Sequence, residues 1–190
     1  DLRQHRTFAV RHGQDPGVFC LCYMVRILWF LGYPDQARQR SDQALSLAQE
    51  LVHPFSLALA LTFAALISQL RQEWRATQER AEAAIALCRE QGFEFYLAMG
   101  TILRGWALTK QGQEEEGVAE LRQGLAAWRT TGAELFRPQM LALVAEAYGE
   151  AGRIEEGLTV LAEALEAAQK GGMRFYEAEV YRLKGTLTLQ

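Results

Sequence analysis

The stretch that decides the fold is Leu141-Ala-Leu-Val-Ala-Glu-Ala-Tyr-Gly-Glu-Ala-Gly-Arg-Ile-Glu-Glu-Gly157. Its apolar residues before Gly152 are three and four positions apart, which is the spacing of one face of an amphipathic helix. A second apolar stripe with the same spacing begins at Ile154. Glycine adopts positive φ without a Cβ penalty, so Gly152 is suited to end the first helix. The stretch therefore predicts two helices joined by a tight turn.

The same pattern recurs along the chain every 40 residues, so the helix pair is predicted to be a repeated unit. One column contains turn residues and three others contain small or apolar residues within the second helix of each pair. A fifth column contains glycines at the end of each later unit. The columns are Gly32, Gln72, Gly112, Gly152; Ala37, Thr77, Gly117, Gly157; Ala44, Ala84, Gly124, Ala164; Leu45, Ile85, Leu125, Leu165; and Gly92, Gly132, Gly172.

The repeats predict an all-α solenoid that forms one domain over residues 1–190, with about four helix pairs and a terminal helix. Residues 1–12 match the end of a second helix from a preceding unit, so the chain is expected to be a fragment of a longer protein. The predicted helices are 17–31 and 34–52, 56–71 and 74–91, 95–111 and 114–131, 137–151 and 154–170, and 174–189.

Small residues at fixed places predict where helices approach closely. Glycine inside a helix costs about 1 kcal/mol relative to alanine, so such positions need a packing reason. Two sets recur in register in the first and second helices, and they are predicted to oppose each other: Gly105, Ala145 and Gly185, and Gly117 and Gly157, with Gly124 two turns after Gly117.

The terminal helix has an apolar stripe with no second helix to cover it, formed by Phe175, Tyr176, Val180, Leu183 and Leu187. Solenoids usually end in polar caps. We therefore expect a homodimer formed through this helix.

Composition excludes several classes of function. The net charge is −3 and the charges are interspersed, so no basic surface for nucleic acid is expected. The apolar segments 18–31 and 57–70 are shorter than the ~20 residues of a membrane span. No signal peptide is visible, and three cysteines do not form a disulfide framework, so a cytoplasmic protein is expected. The three histidines lack the spacing of a zinc site, so no metal and no cofactor are predicted.

The run Leu141, Ala145, Tyr148, Gly152, Gly157, Leu161 and Ala164 resembles the tetratricopeptide signature. The resemblance implies a right-handed α-solenoid, with a unit six residues longer than the usual 34. The strings His12-Gly-Gln-Asp-Pro-Gly17, Leu31-Gly-Tyr-Pro-Asp-Gln-Ala37, Arg104-Gly-Trp-Ala-Leu108 and Tyr181-Arg-Leu-Lys-Gly185 are similar to the C-terminal region of bacterial signal-transduction ATPases fused to class III adenylate or guanylate cyclase domains. This similarity implies a sensor or docking arm attached to catalytic domains.

Catalysis by the chain itself is not predicted. The sequence contains no phosphate-binding loop, and no serine, cysteine and histidine cluster suggests a nucleophile with its base. Two functions remain open. One is a protein-docking module that holds a peptide segment of a partner, or of its own ATPase or cyclase part, in its groove. The other is a small-molecule sensor that regulates such a part.

The tetratricopeptide resemblance implies that the first helix of each pair lines the concave groove. Aromatic and arginine side chains are enriched at binding hot spots. Trp106, Arg26 and Glu146 are predicted to contact the partner, although the two groove tryptophans could instead fill the space between neighbouring first helices. The predicted partner-binding residues are Arg26, Trp29, Gln69, Trp106, Glu146 and Arg182.

Overall fold

This computed structural model describes residues 2–171 and 174–190. These residues contain ten α-helices and one 3-10 turn. Each predicted helix is present, with ends within two residues of those predicted, and the last one begins with the 3-10 turn. Gly172 of the glycine column lies outside the described residues. The elements are α1 (Leu2–His12), α2 (Pro16–Phe30), α3 (Pro34–Leu51), α4 (Pro54–Leu70), α5 (Trp74–Gln91), α6 (Glu94–Thr109), α7 (Glu114–Thr131), α8 (Arg137–Glu150), α9 (Ile154–Gly171), η1 (Arg174–Tyr176) and α10 (Glu177–Thr188).

The helices pack as sequential pairs, α2 with α3, α4 with α5, α6 with α7 and α8 with α9. The first helices α2, α4, α6, α8 and α10 also pack against one another in order. Helix α1 contacts both α2 and α3, the place of a second helix from a preceding pair. The prediction of an all-α stack of helix pairs is confirmed.

The turn within each pair depends on one residue with positive φ. Gly32, Gly112 and Gly152 have φ of 83°, 78° and 70°, and Gln72 has 60° at the same place in its repeat. The backbone conformation is therefore retained where the glycine is not. The N–H of the residue after each turn donates to a carbonyl of the first helix, as Arg153 does to Tyr148 at 2.8 Å.

The small-residue columns mark close helix contacts. A Cβ added to Gly157 would lie 3.2 Å from the carbonyl oxygen of Ala145, and one added to Gly124 would lie 3.0 Å from the backbone N of Ile102. Gly185 is different, because a Cβ there would meet nothing within 4 Å. The prediction is wrong for Gly185, since no described second helix packs on that face of α10.

The apolar stripe of the terminal helix is covered, contrary to the prediction. Helix α10 packs on α8 and α9, so Tyr176, Val180, Leu183 and Leu187 are all buried. Of the five stripe residues only Phe175 is exposed. The homodimer was predicted from an uncovered apolar surface on this helix, and the helix does not have that surface.

Candidate functional site

The concave side of the stack closes on itself. The ring of Phe30, at the end of α2, contacts the ring of Phe175 in η1 edge-on, with centroids 5.0 Å apart. The ring centroid of Tyr176 lies 6.3 Å from that of Phe30, and these two rings also meet edge-on. The first helix of the first pair thus meets the start of the terminal helix, which turns the groove into a cavity.

This groove cavity has a volume of about 510 Å³ and is lined by α2, α4, α8, η1 and α10. Four of the six predicted binding residues line it, and they come from four different helices. They are Trp29, Gln69, Glu146 and Arg182, and they lie beside Phe30, Gln72, Tyr176 and Glu179.

The charged residues of the groove cavity are held by ion pairs. Arg182 donates to Glu179 through Nη2 at 2.6 Å and Nε at 2.8 Å, and this hydrogen bonding raises the pKa of Arg182. Glu146 accepts from Lys110 Nζ at 3.2 Å, and Lys110 also pairs with Glu150. Burial lowers the pKa of Lys110, but the hydrogen bonds and charges of both glutamates outweigh burial and raise it. The cavity therefore presents fixed charges of both signs.

Trp106 lies in the core next to Glu146, which lines the groove cavity. Its side chain is completely buried in the main core, and its indole N–H donates to Glu146 Oε2 at 3.1 Å. A side chain with no exposed surface cannot contact a partner, so the predicted direct contact by Trp106 is corrected. Trp106 instead fills the space between first helices and orients Glu146.

Arg26 lies outside the groove cavity, although it was predicted to act with Glu146. It is 7% exposed, and its guanidinium carbon stands 3.9 Å from the centroid of the Phe136 ring. Phe136 precedes α8 and reaches Arg26 because the stack curves. Arg26 therefore belongs to a neighbouring apolar pocket rather than to the groove cavity.

Trp29 combines the two roles that the sequence left open. It is partly buried against a small cluster of Val25, Ala37 and Ile67, and it also lines the groove cavity. Gln69 is 5% exposed at the equivalent position of the next repeat, so only a small part of it faces the cavity.

Sequence reasoning missed the aromatic and acidic residues that η1 and α10 bring to the cavity. Glu179 had a usable signal, since it lies one turn before the groove position Arg182. Phe30 and Tyr176 had none, because their contact depends on the curvature of the whole stack.

Four polar residues form a cluster where α1, α2 and α4 begin or end. Asp15 is fully buried, caps α2 through Val18 N at 2.8 Å and contacts His5 Nδ1 at 2.7 Å. Ser56 Oγ accepts from the backbone N of Asp15 at 3.1 Å and contacts His53 Nδ1 at 3.0 Å. The carboxylate and the hydroxyl contact different histidines. The Asp15 carboxylate caps α2, and the His53 ring caps α4 by accepting from the backbone N of Ser56 at 3.3 Å.

Within residues 2–171 and 174–190, no three histidine, cysteine, aspartate or glutamate side chains converge as a metal site would need. No described helix is both long and apolar enough to cross a membrane.

Sequential helix pairs, positive-φ turns and a concave side formed by first helices define a tetratricopeptide-like helical repeat. Solved structures share this fold. Aspartyl phosphate phosphatase F from Bacillus subtilis superimposes with a TM-score of 0.64 at 14% identity, over 90% of this chain and 45% of that chain. A Podospora anserina kinesin light chain protein with nearly identical TPR-like repeats superimposes with a TM-score of 0.59 at 16% identity, over 90% of this chain and 94% of that chain.

The chain thus spans less than half of the phosphatase. At these identities the likeness shows the fold. No family model matches the sequence, and no curated protein matches it.

Proposed function

We propose that the chain is a non-catalytic docking module that holds a peptide segment of a protein partner in the groove cavity. The observation that carries the proposal is the convergence of Trp29, Glu146 and Arg182, from α2, α8 and α10, on one cavity. Such a site offers an aromatic surface and charges of both signs, which is suited to a peptide with apolar and charged side chains. Tetratricopeptide-like folds are commonly protein–protein interaction modules, which supports this choice.

The resemblance of the sequence to bacterial ATPases fused to cyclase domains supports a more specific proposal. In such a protein the bound segment would belong to a partner, or to the ATPase or cyclase part of the same chain. Docking of that segment would then couple the repeat domain to the catalytic part.

A second candidate function is a small-molecule sensor. The closure of the groove by Phe30 and Phe175 favours it, because a volume of about 510 Å³ lies within the ~300–1,000 Å³ range of ligand sites. A metabolite bound there would touch both ends of the stack, so its binding would favour the closed arrangement.

The two candidates are distinguished with one pair of matched variants. Arg182 and Arg174 each pair with a glutamate three positions away along the chain, but only Arg182 lines the groove cavity. Arg182→Glu therefore changes the cavity, and Arg174→Glu makes the same chemical change outside it.

The chain is first used to select binders from a random 12-residue peptide display library, and their affinities are measured by fluorescence anisotropy. We expect Arg182→Glu to weaken binding at least about tenfold, and Arg174→Glu to leave it unchanged. Equal affinities for the two variants would exclude the groove cavity as the docking site. A thermal-shift screen against metabolites tests the sensor, whose ligand should stabilise the Arg174→Glu chain and not the Arg182→Glu chain.

A further inference from the structure

A second pocket lies on the other side of the Phe30 and Phe175 contact, and we name it the seam pocket. It has a volume of about 440 Å³ and lies between the last turns of α2, the loop before α8, and η1. Phe30 and Phe175 line both the seam pocket and the groove cavity, so their rings form the wall between them. The residues that line the seam pocket include Arg26, Ile27, Phe30, Leu135, Phe136 and Phe175.

The wall of the seam pocket is an exposed apolar surface. Ile27 is 57% exposed, Leu135 is 47% exposed and Phe175 is 55% exposed. Large apolar side chains that are exposed together around one concavity are unusual on a soluble monomer and mark a binding surface. Water is a poor occupant of such a pocket, so an apolar group is favoured there.

Among the described residues that line the seam pocket, Arg26 is the only charged one. It is 7% exposed, and its Nη1 atom is buried without a hydrogen-bond partner. In the described part of the chain no carboxylate forms an ion pair with Arg26, while the carboxylate nearest along the loop, Glu134, pairs with Arg137 at 2.6 Å. Burial lowers the pKa of Arg26 to about 10, so the guanidinium is still charged at neutral pH.

Three aromatic rings surround this charge without neutralising it. The guanidinium carbon stands 3.9 Å from the Phe136 ring centroid, 5.9 Å from that of Phe30 and 6.0 Å from that of Phe175. Cation–π contacts compensate part of the lost hydration. They supply no hydrogen-bond acceptor for Nη1, and none of the described side chains accepts from that atom.

The backbone of Phe136 is strained in a way that holds its ring over Arg26. Its φ is 66°, a left-handed conformation that is rare for a bulky residue. Phe136 is 4% exposed, and its ring also contacts the rings of Tyr23 and Phe63. Strain of this kind clusters at ligand-binding positions, where the surrounding packing maintains it.

We propose that the seam pocket binds a small apolar carboxylic acid, with its carboxylate paired to Arg26 and its hydrocarbon part against Ile27, Phe30 and Phe175. The volume of the pocket is in the range of small-molecule sites. A carboxylate accepts from the planar guanidinium fork and pairs with a charge that is otherwise uncompensated. The low polarity of the surroundings strengthens this attraction. The site is separate from the groove cavity and does not depend on the function proposed there.

The test uses decanoate, decanol and decyltrimethylammonium in calorimetric titrations of the full chain at pH 7.5. The two ions are kept below their micelle-forming concentrations and decanol below its solubility limit. These probes share the hydrocarbon tail and differ in the charge of the head group. We expect saturable binding of decanoate, binding of decanol weaker by at least about tenfold, and no binding of the cation.

Three variants locate the binding. Arg26→Met replaces the charged side chain by an apolar one of similar length. It should weaken the binding of decanoate at least about tenfold. Ile27→Asp places a competing carboxylate on an exposed position of the pocket wall, so it should abolish binding without affecting the fold. Met24→Asp is the matched control, because Met24 is also on α2, is 39% exposed and does not line the pocket.

Decanoate should bind the Met24→Asp and Arg182→Glu chains with wild-type affinity. Equal affinity for decanoate and decanol, or unchanged binding by Ile27→Asp, would overturn the proposal. Absence of decanoate binding would also overturn it, and in that case binding of the peptide acetyl-Leu-Phe-Asp-amide would reassign the pocket to peptide docking.

Discussion

Gly105 of α6 and Gly117 of α7 face each other across a close contact between their two helices. A Cβ on Gly105 would lie 2.9 Å from the carbonyl oxygen of Gly117, and a Cβ on Gly117 would lie 2.8 Å from that of Gly105. Both neighbours are backbone atoms, which cannot rotate away as a side chain can. The two helices therefore approach to a distance that only glycine allows.

Gly117→Ala should destabilise the protein because its new methyl group forces α6 and α7 apart. Overpacking of this kind costs about 1–3 kcal/mol. Gly185→Ala is the matched control, since a Cβ there meets nothing within 4 Å. It should stabilise the helix by up to about 1 kcal/mol. Urea denaturation followed by circular dichroism measures both changes, and a higher midpoint for Gly117→Ala would contradict the close contact.

Val52→Gly should stabilise the protein. Val52 ends α3 with φ of 54° and is 80% exposed, so it has left-handed strain and little packing. That strain costs about 1–2 kcal/mol, whereas the greater freedom of glycine in the unfolded chain costs about 0.4–1 kcal/mol. The balance predicts a melting temperature higher by about 2 °C. Gly92→Val, at the equivalent place in the next repeat, should lower it, and calorimetry measures both.

Trp106→Ala should be severely destabilising, by about 3–5 kcal/mol, because it empties a fully buried site. Trp106→Phe retains an aromatic ring but leaves Glu146 without its indole donor, and should cost about 1–3 kcal/mol. Chemical denaturation distinguishes the two losses. A Trp106→Ala chain with wild-type stability would show that the ring is not part of the core.

The three cysteines should differ in reactivity toward Ellman's reagent at pH 8. Cys20 is exposed, whereas Cys22 and Cys88 are buried. Burial raises the pKa of Cys22 to about 12 and that of Cys88 to about 11, so at pH 8 both remain protonated and unreactive. We expect one fast thiol in the native chain and three in denaturant. Cys20→Ser should remove the fast reaction. A fast reaction of the native Cys20→Ser chain with the reagent would contradict the burial of Cys22 and Cys88.

The sequence by itself determined the helices and their pairing. The 40-residue period fixed where each helix begins and ends, because glycine positions and apolar spacing are local properties of the chain. The opposed glycines of α6 and α7 could be predicted for the same reason, since neighbouring helices in a repeat must meet at equivalent positions. The tetratricopeptide resemblance, applied in the register of the repeat, implied the groove positions of Trp29, Gln69, Glu146 and Arg182.

Only the tertiary structure decided what closes the groove and where Arg26 lies. The contact of Phe30 with Phe175 joins residues more than three repeats apart. In a solenoid such a contact depends on the small rotation that each repeat adds. A one-dimensional period contains no information about that sum. The position of Phe136 over Arg26 has the same origin. Each depends on how far the stack curves, which is set by the packing of all the helix pairs together.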